Sequence, residues 1–474
     1  MTKLRKESII FNSGKNGKKN KEGVASYRIP ALLKTNNGTL IAGVDQRHDH
    51  SKDWGDIDLV IRRSSDNGEN WGEKIKIISL PKNPDAKKEE ANAALNIDMN
   101  LIQDPVTKRI FSVYGMYPEG KALFGQMESG DQREQYVEIS GEYYLALYTK
   151  EQETPHTVRE NGIVYTPKGK KTNYWVVMKS EKAPYQNLGN IYHHEEYLGN
   201  IYFNTNQKHP FTISTRTYIW LSYSDDDGLT WSTPKDITSQ VRKPWMSFYG
   251  VGPGIGTVLH KGPHKGRLVI PTYSTNHPTD LVGSQSARII YSDDHGQTWK
   301  SGEAVNDNRL LTDGKEIHSS TMNCKKAQNT ESVALQLENG EVKLFMRNLT
   351  GHLQMATSKD GGESWLAKVE EFPEVKDVYV QLSAIQTIQD GVEYIILVNA
   401  NGPGRSNGHI RLARVEDGQL NWIDSQLLQE GEFAYNAIQQ IGNQEYGVLY
   451  EHVKEPYNSY QILYKSFDWS YLKN

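Results

Sequence analysis

Three arginines, two carboxylates and a tyrosine occur in short polar segments and have side chains that can do chemistry. The segments are Tyr27-Arg28-Ile29-Pro30, Ser51-Lys52-Asp53-Trp54, Asn329-Thr330-Glu331-Ser332, Phe345-Met346-Arg347-Asn348, Pro403-Gly404-Arg405-Ser406 and Phe433-Ala434-Tyr435-Asn436. Arginine is always charged and can hold a carboxylate through paired hydrogen bonds. Carboxylates can donate or accept protons, and a phenol can attack carbon once a base removes its proton. Because the chain has 27 tyrosines and 54 basic residues, any one of these side chains taken alone is more often structural.

Composition limits the other kinds of site. The 474 residues include a single cysteine, Cys324, which excludes an internal disulfide framework and a cysteine-based metal cage. His48 and His50 lie two residues apart and suggest a ligand pair, but a loop that binds no metal explains them equally well. With 54 basic and 58 acidic residues and a net charge of −4, no nucleic-acid partner is expected. The basic run at residues 15–21 is interpreted as a solvated loop in preference to a nucleic-acid or membrane patch.

One turn pattern, Ser-x-Asp-x-Gly-x-x-Trp, occurs four times. The copies begin at Ser64, Ser224, Ser292 and Ser358, and each follows a strand-like run. The Asp carboxylate and the Ser hydroxyl can bind backbone N–H groups, Gly supplies the positive φ that closes the bend, and Trp is a large apolar anchor. Four such turns, or Asp boxes, at intervals of tens of residues indicate a repeat architecture.

Short apolar runs between turn-forming residues recur along the chain and predict an all-β protein. No apolar run reaches the roughly 18 residues that a membrane span needs. The last three boxes are 68 and 66 residues apart, which suits one propeller blade per interval. The first interval of 160 residues is longer than two blades require. We therefore expect a small inserted β domain at about residues 124–206 within a propeller formed by residues 1–123 and 207–474. A blade with long loops is the alternative.

With Tyr27-Arg28-Ile29-Pro30 upstream of the first box, the chain resembles the bacterial sialidases (exo-α-neuraminidases) of the retaining type. The resemblance extends from residue 28 to residue 451. It is closest to the streptococcal and clostridial enzymes that have an inserted β domain, including members that resemble intramolecular trans-sialidases. It implies a monomeric enzyme with a six-bladed β-propeller fold that cleaves terminal sialic acid. The expected partners are sialylated glycans and glycoproteins.

The resemblance also implies a secreted or cell-surface location. The first five residues have no apolar core of a signal peptide. We therefore expect either an intracellular protein or the mature or excised catalytic part of a longer secreted chain. An N-terminal carbohydrate-binding module often precedes the catalytic domain in this group.

The three arginines match the family's clamp for the carboxylate of sialic acid. Their positions here are Arg28, Arg347 and Arg405, although Arg411 and Arg414 lie close enough to compete with Arg405. The resemblance further implies that Glu451 orients an arginine, Arg28, and that Arg47 adds positive charge beside the C4 side of the substrate. No metal and no cofactor are expected, although some sialidases bind structural calcium.

The remaining matches are catalytic. Tyr435 matches the family's nucleophile, Glu331 its partner glutamate and Asp53 the acid/base residue. A carboxylate nucleophile would be repelled by the carboxylate on the anomeric carbon of sialic acid, whereas a neutral phenol is not. Sialidases are accordingly the exception to the two-carboxylate scheme of glycosidases.

Alternative functions stay open at this point. Some similar enzymes release 2,7-anhydro-sialic acid or the 2,3-didehydro product. In the 2,7-anhydro formers the resemblance suggests a tryptophan after the glutamate, whereas the segment after Glu451 has Pro456 and Tyr457 and no tryptophan. A propeller that binds a partner without catalysis is a further alternative, because Asp boxes also occur in receptors.

Overall fold

Strands dominate the computed structural model, which describes residues 4–5, 7–87, 91–123, 131–181, 183–278, 281–454 and 459–473. Six sheets follow one another around a central axis and confirm the six-bladed β-propeller. No helix within the described residues is both long and apolar enough to cross a membrane.

Each blade is one sheet, and its strands are named in sheet order from the axis outward. Blade 1 consists of Ser26–Lys34, Leu40–Arg47, Ile57–Ser64 and Ile75–Ile78. Blade 2 consists of Gly254–Ile255, Leu95–Gln103, Ile110–Tyr117, Tyr218–Ser224 and Lys235–Asp236. Blade 3 consists of Phe248–Val251, Leu268–Thr275, Gln285–Ser292 and Lys300–Ser301, with Thr257–Val258 also paired to the second of these.

The other three blades have four strands each. Blade 4 consists of Asn329–Gln336, Val342–Asn348, His352–Ser358 and Glu370–Lys376. Blade 5 consists of Ser383–Gln389, Val392–Ala400, Ser406–Glu416 and Gln419–Glu432. Blade 6 consists of Asn436–Gly442, Glu445–His452, Gln461–Asp468 and Ser8–Phe11. Outside the blades lie a two-stranded ribbon, Arg309–Leu310 with Glu316–Ile317, the α-helix Thr238–Val241, and the 3₁₀ turns Glu160–Gly162, Lys325–Ala327 and Trp469–Lys473.

The two ends of the chain close the ring in blade 6. The N-terminal strand Ser8–Phe11 pairs antiparallel with Gln461–Asp468, with Ser8 opposite Tyr464. Phe11 is 2% exposed and belongs to a core that also contains Ile462 and residues of blade 1. This closure brings the start and the end of the chain to the same side of the axis.

Each Asp box begins at the last residue of a strand and packs against the preceding blade. These strands are Ile57–Ser64 in blade 1, Tyr218–Ser224 in blade 2, Gln285–Ser292 in blade 3 and His352–Ser358 in blade 4. In the third box Ser292 Oγ accepts the N–H of Gly296 at 2.8 Å, and Asp294 Oδ1 accepts the N–H of Thr298 at 2.9 Å. Gly296 has a φ of 81°, and a Cβ there would lie 2.2 Å from the ring of Phe111 in blade 2. Glycine is therefore required both by the conformation and by the close contact between blades.

The inserted sheet lies within blade 2, between its strands Ile110–Tyr117 and Tyr218–Ser224. Among the residues that the structure describes, it has seven strands: Tyr136–Ile139, Glu142–Thr149, Gln152–Val158, Ile163–Tyr165, Lys171–Val176, Asn190–His193 and Glu196–Asn200. The first box interval thus contains one blade repeat plus this sheet. The sheet shares a continuous apolar core with blades 1 and 2. The predicted limits of 124 and 206 stay predictions, and residue 124 lies outside the described residues.

Candidate active site

A cavity of about 270 Å³ lies where the inner strands of the six blades converge. Six residues named from the sequence line it: Arg28, Asp53, Glu331, Arg347, Arg405 and Tyr435. Arg47 and Glu451 lie behind its wall, in contact with Asp53 and Arg28 respectively. The structure therefore brings all eight predicted site residues together, while their roles stay predictions. No Asp-box residue is among the described residues that line the cavity.

The phenol of Tyr435 and the carboxylate of Glu331 form a buried pair on one wall. Tyr435 Oη donates to Glu331 Oε1 at 2.7 Å, and Arg347 Nη1 donates to Glu331 Oε2 at 2.6 Å and to Tyr435 Oη at 3.2 Å. Burial and the charge of Glu331 raise the pKa of Tyr435 well above its usual value, although Arg347 and Arg405 act against this. The resting phenol is therefore neutral, and a base lies within hydrogen-bonding distance of its proton.

Three guanidinium groups lie beside Tyr435, two near its ring and the third, that of Arg347, at its hydroxyl. Arg28 and Arg405 lie 5.5 and 5.7 Å from the ring centre. Arg347 stacks on the ring of Tyr379, 3.9 Å from its centre. All three arginines line the cavity, and a cluster of guanidinium groups is chemically suited to a small carboxylate.

Glu451 fixes Arg28 from behind. Its two oxygens accept Arg28 Nε at 2.9 Å and Nη2 at 3.1 Å, and Oε1 also accepts the N–H of Ile29 at 2.8 Å. Glu451 is fully buried. Burial acts to lower the pKa of Arg28, but the Glu451 charge outweighs it and the pKa is raised above its usual value. The geometry agrees with the orienting role expected for Glu451.

The structure distinguishes Arg405 from its two neighbours in sequence. Arg411 lies in the scaffold, where Nε donates to Asn399 Oδ1 at 2.8 Å and Nη2 to Asn401 Oδ1 at 2.7 Å. Arg414 forms an exposed ion pair with Glu416 at 3.1 Å. Of these three, Arg405 lines the cavity.

Asp53 lies on the loop between the second and third strands of blade 1. Its side chain is 49% exposed, and Oδ1 accepts Arg47 Nη1 at 2.6 Å. Burial by the cavity walls acts to raise the pKa of Asp53, but the charges of Arg47 and Arg28 outweigh it and the pKa lies below its usual value. A bound carboxylate would neutralise part of this positive charge and so favour protonation of Asp53.

Register shifts in three inner strands change the direction of side chains at the cavity. The inner strands shift register between Arg28 and Ala31, between Ile97 and Asn100, and between Asn329 and Ser332. Ile29 and Asp98 have φ values of 60° and 62° within the first two shifts. A β-bulge turns the side chain next to it away from the alternation of the strand. For a β-branched residue such as Ile29 this conformation is strained, and such strain is common at binding sites.

Sequence reasoning missed Asp98 and Tyr379, which also line the cavity. Burial and the charges of Asp45 and Glu331 raise the pKa of Asp98 well above its usual value. The signal for Asp98 was a carboxylate inside the otherwise apolar and amide run Leu95-Asn96-Ile97-Asp98-Met99. Tyr379 had no comparable signal, because it is one of 27 tyrosines.

The loop histidines do not form a ligand pair. His48, Asp56 and Asp58 have ligand atoms within 4.8 Å of one another. However, Lys76 Nζ lies 3.0 Å from Asp58 and Lys82 Nζ lies 2.6 Å from Asp56, so the carboxylates already have cationic partners. The ring of His50 packs against that of Trp54, with ring centres 4.1 Å apart and the planes tilted by 60°. We interpret the group as a charge-compensated network that braces the Asp53 loop.

The fold and the site define the class of protein: an Asp-box propeller with an arginine cluster beside a buried Tyr–Glu pair. The model of a family described as "BNR repeat-like domain" matches residues 175–449, more than half of the chain. The chain belongs to the BNR-repeat sialidase family.

Individual relatives are similar at low identity. The chain is 28% identical over 469 residues to an anhydrosialidase of Macrobdella decora, covering 90% of this chain and 58% of that protein. It is 27% identical over 485 residues to sialidase B of Streptococcus pneumoniae, covering 94% of this chain and 63% of that protein. The chain thus spans about three fifths of the length of these relatives. The crystal structure of the intramolecular trans-sialidase from Ruminococcus gnavus has a TM-score of 0.79 and 24% identity, with 98% of each chain covered. At this identity the likeness shows the fold.

Proposed function

We propose that this protein is a retaining exo-α-sialidase that removes terminal sialic acid from sialylated glycans and glycoproteins. The observation that carries the proposal is the 2.7 Å hydrogen bond from the Tyr435 phenol to Glu331, inside a cavity lined by three arginines. A binding module has no need for a buried nucleophile, its base and a proton donor in one cavity. Because a phenol, a carboxylate bonded to it and a second carboxylate line one cavity, catalysis explains the site better than binding alone.

Substrate binding follows from charge. The carboxylate of sialic acid would lie against Arg28, Arg347 and Arg405, which sets the anomeric carbon over the Tyr435 hydroxyl. Arginine is suited to this because its planar fork matches a carboxylate. Arg347 donates to Glu331 as well, so the clamp and the catalytic pair are rigidly connected.

The first chemical step forms one bond and breaks another at the anomeric carbon. Glu331 removes the proton of Tyr435 as its oxygen attacks, and the bond to the leaving oxygen breaks. Asp53 donates a proton to that oxygen, so the aglycone departs as a neutral alcohol. The product is a glycosyl–tyrosine intermediate.

In the second step Asp53, now a carboxylate, removes a proton from water as the water oxygen attacks the same carbon. The bond to Tyr435 breaks, and its oxygen regains the proton from Glu331. Two inversions give net retention. Asp53 suits both steps because it lies half exposed at the cavity wall.

The second step can end in three ways, each giving a different product. Attack by water gives free sialic acid, attack by the substrate's own O7 gives the 2,7-anhydro product, and loss of a C3 proton gives the 2,3-didehydro product. Similarity to an anhydrosialidase supports the second route as the alternative to hydrolysis. Pro456 and Tyr457, where the sequence departs from the 2,7-anhydro pattern, lie outside the described residues. NMR of the products from an α2,3-sialoside distinguishes the three outcomes.

The proposed substrates are displayed outside cells, so we assign the protein to the secreted or cell-surface enzymes, acting as a monomer. The central test is Tyr435→Phe assayed with a 4-methylumbelliferyl sialoside. Turnover should fall by orders of magnitude with little change in the urea unfolding curve, because the hydroxyl is lost but the ring and the Glu331–Arg347 pair remain. Near-normal turnover would remove the nucleophile assignment. In the unsubstituted protein, mass spectrometry after treatment with 2,3-difluorosialic acid should find a glycosylated peptide that contains Tyr435.

A further inference from the structure

Asp45 is a buried carboxylate that the mechanism above does not use. It lies on strand Leu40–Arg47, opposite Arg28 in the register of blade 1, and is 0% exposed. Its Oδ2 accepts Arg47 Nη2 at 2.9 Å, and its Oδ1 accepts the backbone N–H of Asp98 at 3.2 Å. A buried carboxylate is costly unless it is paired, so these two contacts account for its presence here.

Arg47 connects this carboxylate to the loop of Asp53. The arginine is 1% exposed, and its Nη1 donates to Asp53 Oδ1 at 2.6 Å and to the carbonyl of Ser51 at 2.8 Å. One guanidinium group is therefore held by a strand carboxylate on one side and holds a loop carboxylate on the other. Asp45 and Arg47 are two residues apart on one strand, so both side chains point to the same face.

The second contact of Asp45 fixes the opposite part of the cavity wall. The N–H of Asp98 lies in the bulge where the inner strand Leu95–Gln103 leaves its register, with a φ of 62° at Asp98. A backbone in this conformation needs support from its surroundings. Asp45 supplies that support. It thereby connects two parts of the cavity wall whose residues lie 53 positions apart in the sequence.

We propose that Asp45 is a positioning residue for the acid/base group, which acts through Arg47 to hold the Asp53 carboxyl group against the bond to be cleaved. The inference depends on the proposed function, since Asp53 is an acid/base residue only within it. Arg47 alone cannot hold this geometry, because its side chain has several rotatable bonds and needs a second fixed partner. Burial raises the pKa of Asp45 to about 7 despite the charge of Arg47, so its carboxyl group carries a full charge only above that pH.

This role is tested by comparing kcat/KM for two substrates that differ in their leaving group. A sugar leaving group needs a proton from Asp53, whereas 4-methylumbelliferone leaves readily as an anion. Asp45→Asn keeps the shape and removes the charge. It should lower kcat/KM for 3′-sialyllactose by about 100-fold, since a misplaced acid loses much of its effect. For the 4-methylumbelliferyl sialoside the loss should stay below about 5-fold, because little acid catalysis is needed there.

A double-substitution cycle shows whether the effect passes through Asp53. In the background of Asp53→Asn, adding Asp45→Asn should change kcat/KM for 3′-sialyllactose by less than about 2-fold, because residues that act as a unit are not additive. Arg47→Lys keeps the charge but loses the fork, so it should reproduce the leaving-group dependence even if Asp45→Asn does not fold. Asp104→Asn is the matched control, because Asp104 is a fully buried carboxylate in the turn between strands Leu95–Gln103 and Ile110–Tyr117. It should leave the ratio of the two substrates unchanged.

The outcomes separate this inference from the proposed function. Equal losses for both substrates in Asp45→Asn and Arg47→Lys would mean that Asp45 has a structural role only. An additive effect in the Asp53→Asn background would also refute the inference. If the unsubstituted protein turns over neither sialoside, the proposed function fails and the inference fails with it. Turnover of both with an unchanged ratio in the variants refutes the inference alone.

Discussion

Removing the base of the Tyr435–Glu331 pair should change both the rate and its pH dependence. Glu331→Gln keeps the size of the side chain and an oxygen that can accept the phenol proton as a hydrogen bond, but it can no longer take that proton. Tyr435 would then have to ionise to solvent before it attacks. The buried position of the phenol and its contact with Arg347 at 3.2 Å stay as they are.

The magnitude follows from the acidity of the phenol. The pKa of Tyr435 lies above the usual value of 10 in the intact site. The Glu331→Gln substitution removes one cause of that elevation, but burial, the larger cause, remains, while Arg347 and Arg405 act to lower the pKa. At the usual phenol pKa of about 10, about one phenol in a thousand is ionised at pH 7, which costs about 4 kcal/mol, and burial makes ionisation rarer still. We therefore expect a fall in kcat of at least about 10³-fold at pH 7.

The pH profile is the sharper part of this prediction. Because the phenolate fraction rises tenfold per pH unit below the pKa, log kcat of Glu331→Gln should rise with a slope of about one between about pH 6 and pH 9. The assay uses a 4-methylumbelliferyl sialoside, so that ionisation of Asp53 at high pH does not limit the rate. Tyr435→Phe should show no such rise. A loss below about tenfold, or a flat profile, would refute the base role of Glu331.

Folding must be checked in the same variant. Arg347 donates to Glu331 at 2.6 Å, so it loses its carboxylate partner in Glu331→Gln. Urea denaturation should show a decrease in the free energy of unfolding of about 3 kcal/mol. Glu119→Gln is the matched control, because Glu119 is 3% exposed and accepts the N–H of Asn204 at 2.7 Å outside the cavity lining. It should leave the pH profile unchanged.

Three further substitutions test the scaffold. Glu451→Gln should lower the free energy of unfolding by about 3 kcal/mol in urea denaturation, because Arg28 loses its buried counter-charge, and an unchanged value would contradict the bidentate pair. Asp294→Ala removes three hydrogen bonds of an Asp box and should cost about 1–2 kcal/mol without changing kcat; a loss of activity at full folding would contradict the scaffold role. Burial raises the pKa of Asp377 from 3.8 to about 7, so its contribution to stability is present at low pH and is lost as the pH rises through about 7. Between about pH 5 and pH 8 the unsubstituted protein should therefore lose on the order of 2 kcal/mol more than Asp377→Asn, and equal losses would refute this assignment.

Local sequence predicted the repeated turns because their bonds are local. In the third box Ser292 bonds to Asp294 and to the N–H of Gly296, and Asp294 bonds to the N–H of Thr298, so every bond joins residues two to four positions apart and the pattern itself contains the geometry. The uneven spacing of the boxes also predicted the inserted sheet. It did not show that the sheet interrupts blade 2 and shares its core, because strand pairing between distant segments has no local signal.

The candidate site shows the same division. Short motifs were sufficient to name Arg28, Glu331 and Tyr435, because each lies in a distinctive segment of the resemblance. The resemblance named Arg405, but the sequence contains no physical reason to prefer it to Arg411, since the two are six residues apart and only the fold decides which side chain lines the cavity. It also missed Asp98, whose side chain lines the cavity through a register shift that cannot be read from alternation.

The sequence by itself determined the turns, the short apolar runs that form strands and the identities of the residues that we propose for catalysis. Tertiary structure decided which of those residues meet. Arg28 and Glu451 are separated by 423 residues and form a buried bidentate pair, because the N-terminal strand completes the last blade and closes the ring. The contact of Asp45 with the backbone N–H of Asp98 likewise exists only once blades 1 and 2 pack together. The physical reason is that charge pairing depends on distances of a few ångströms, which folding sets independently of separation along the chain.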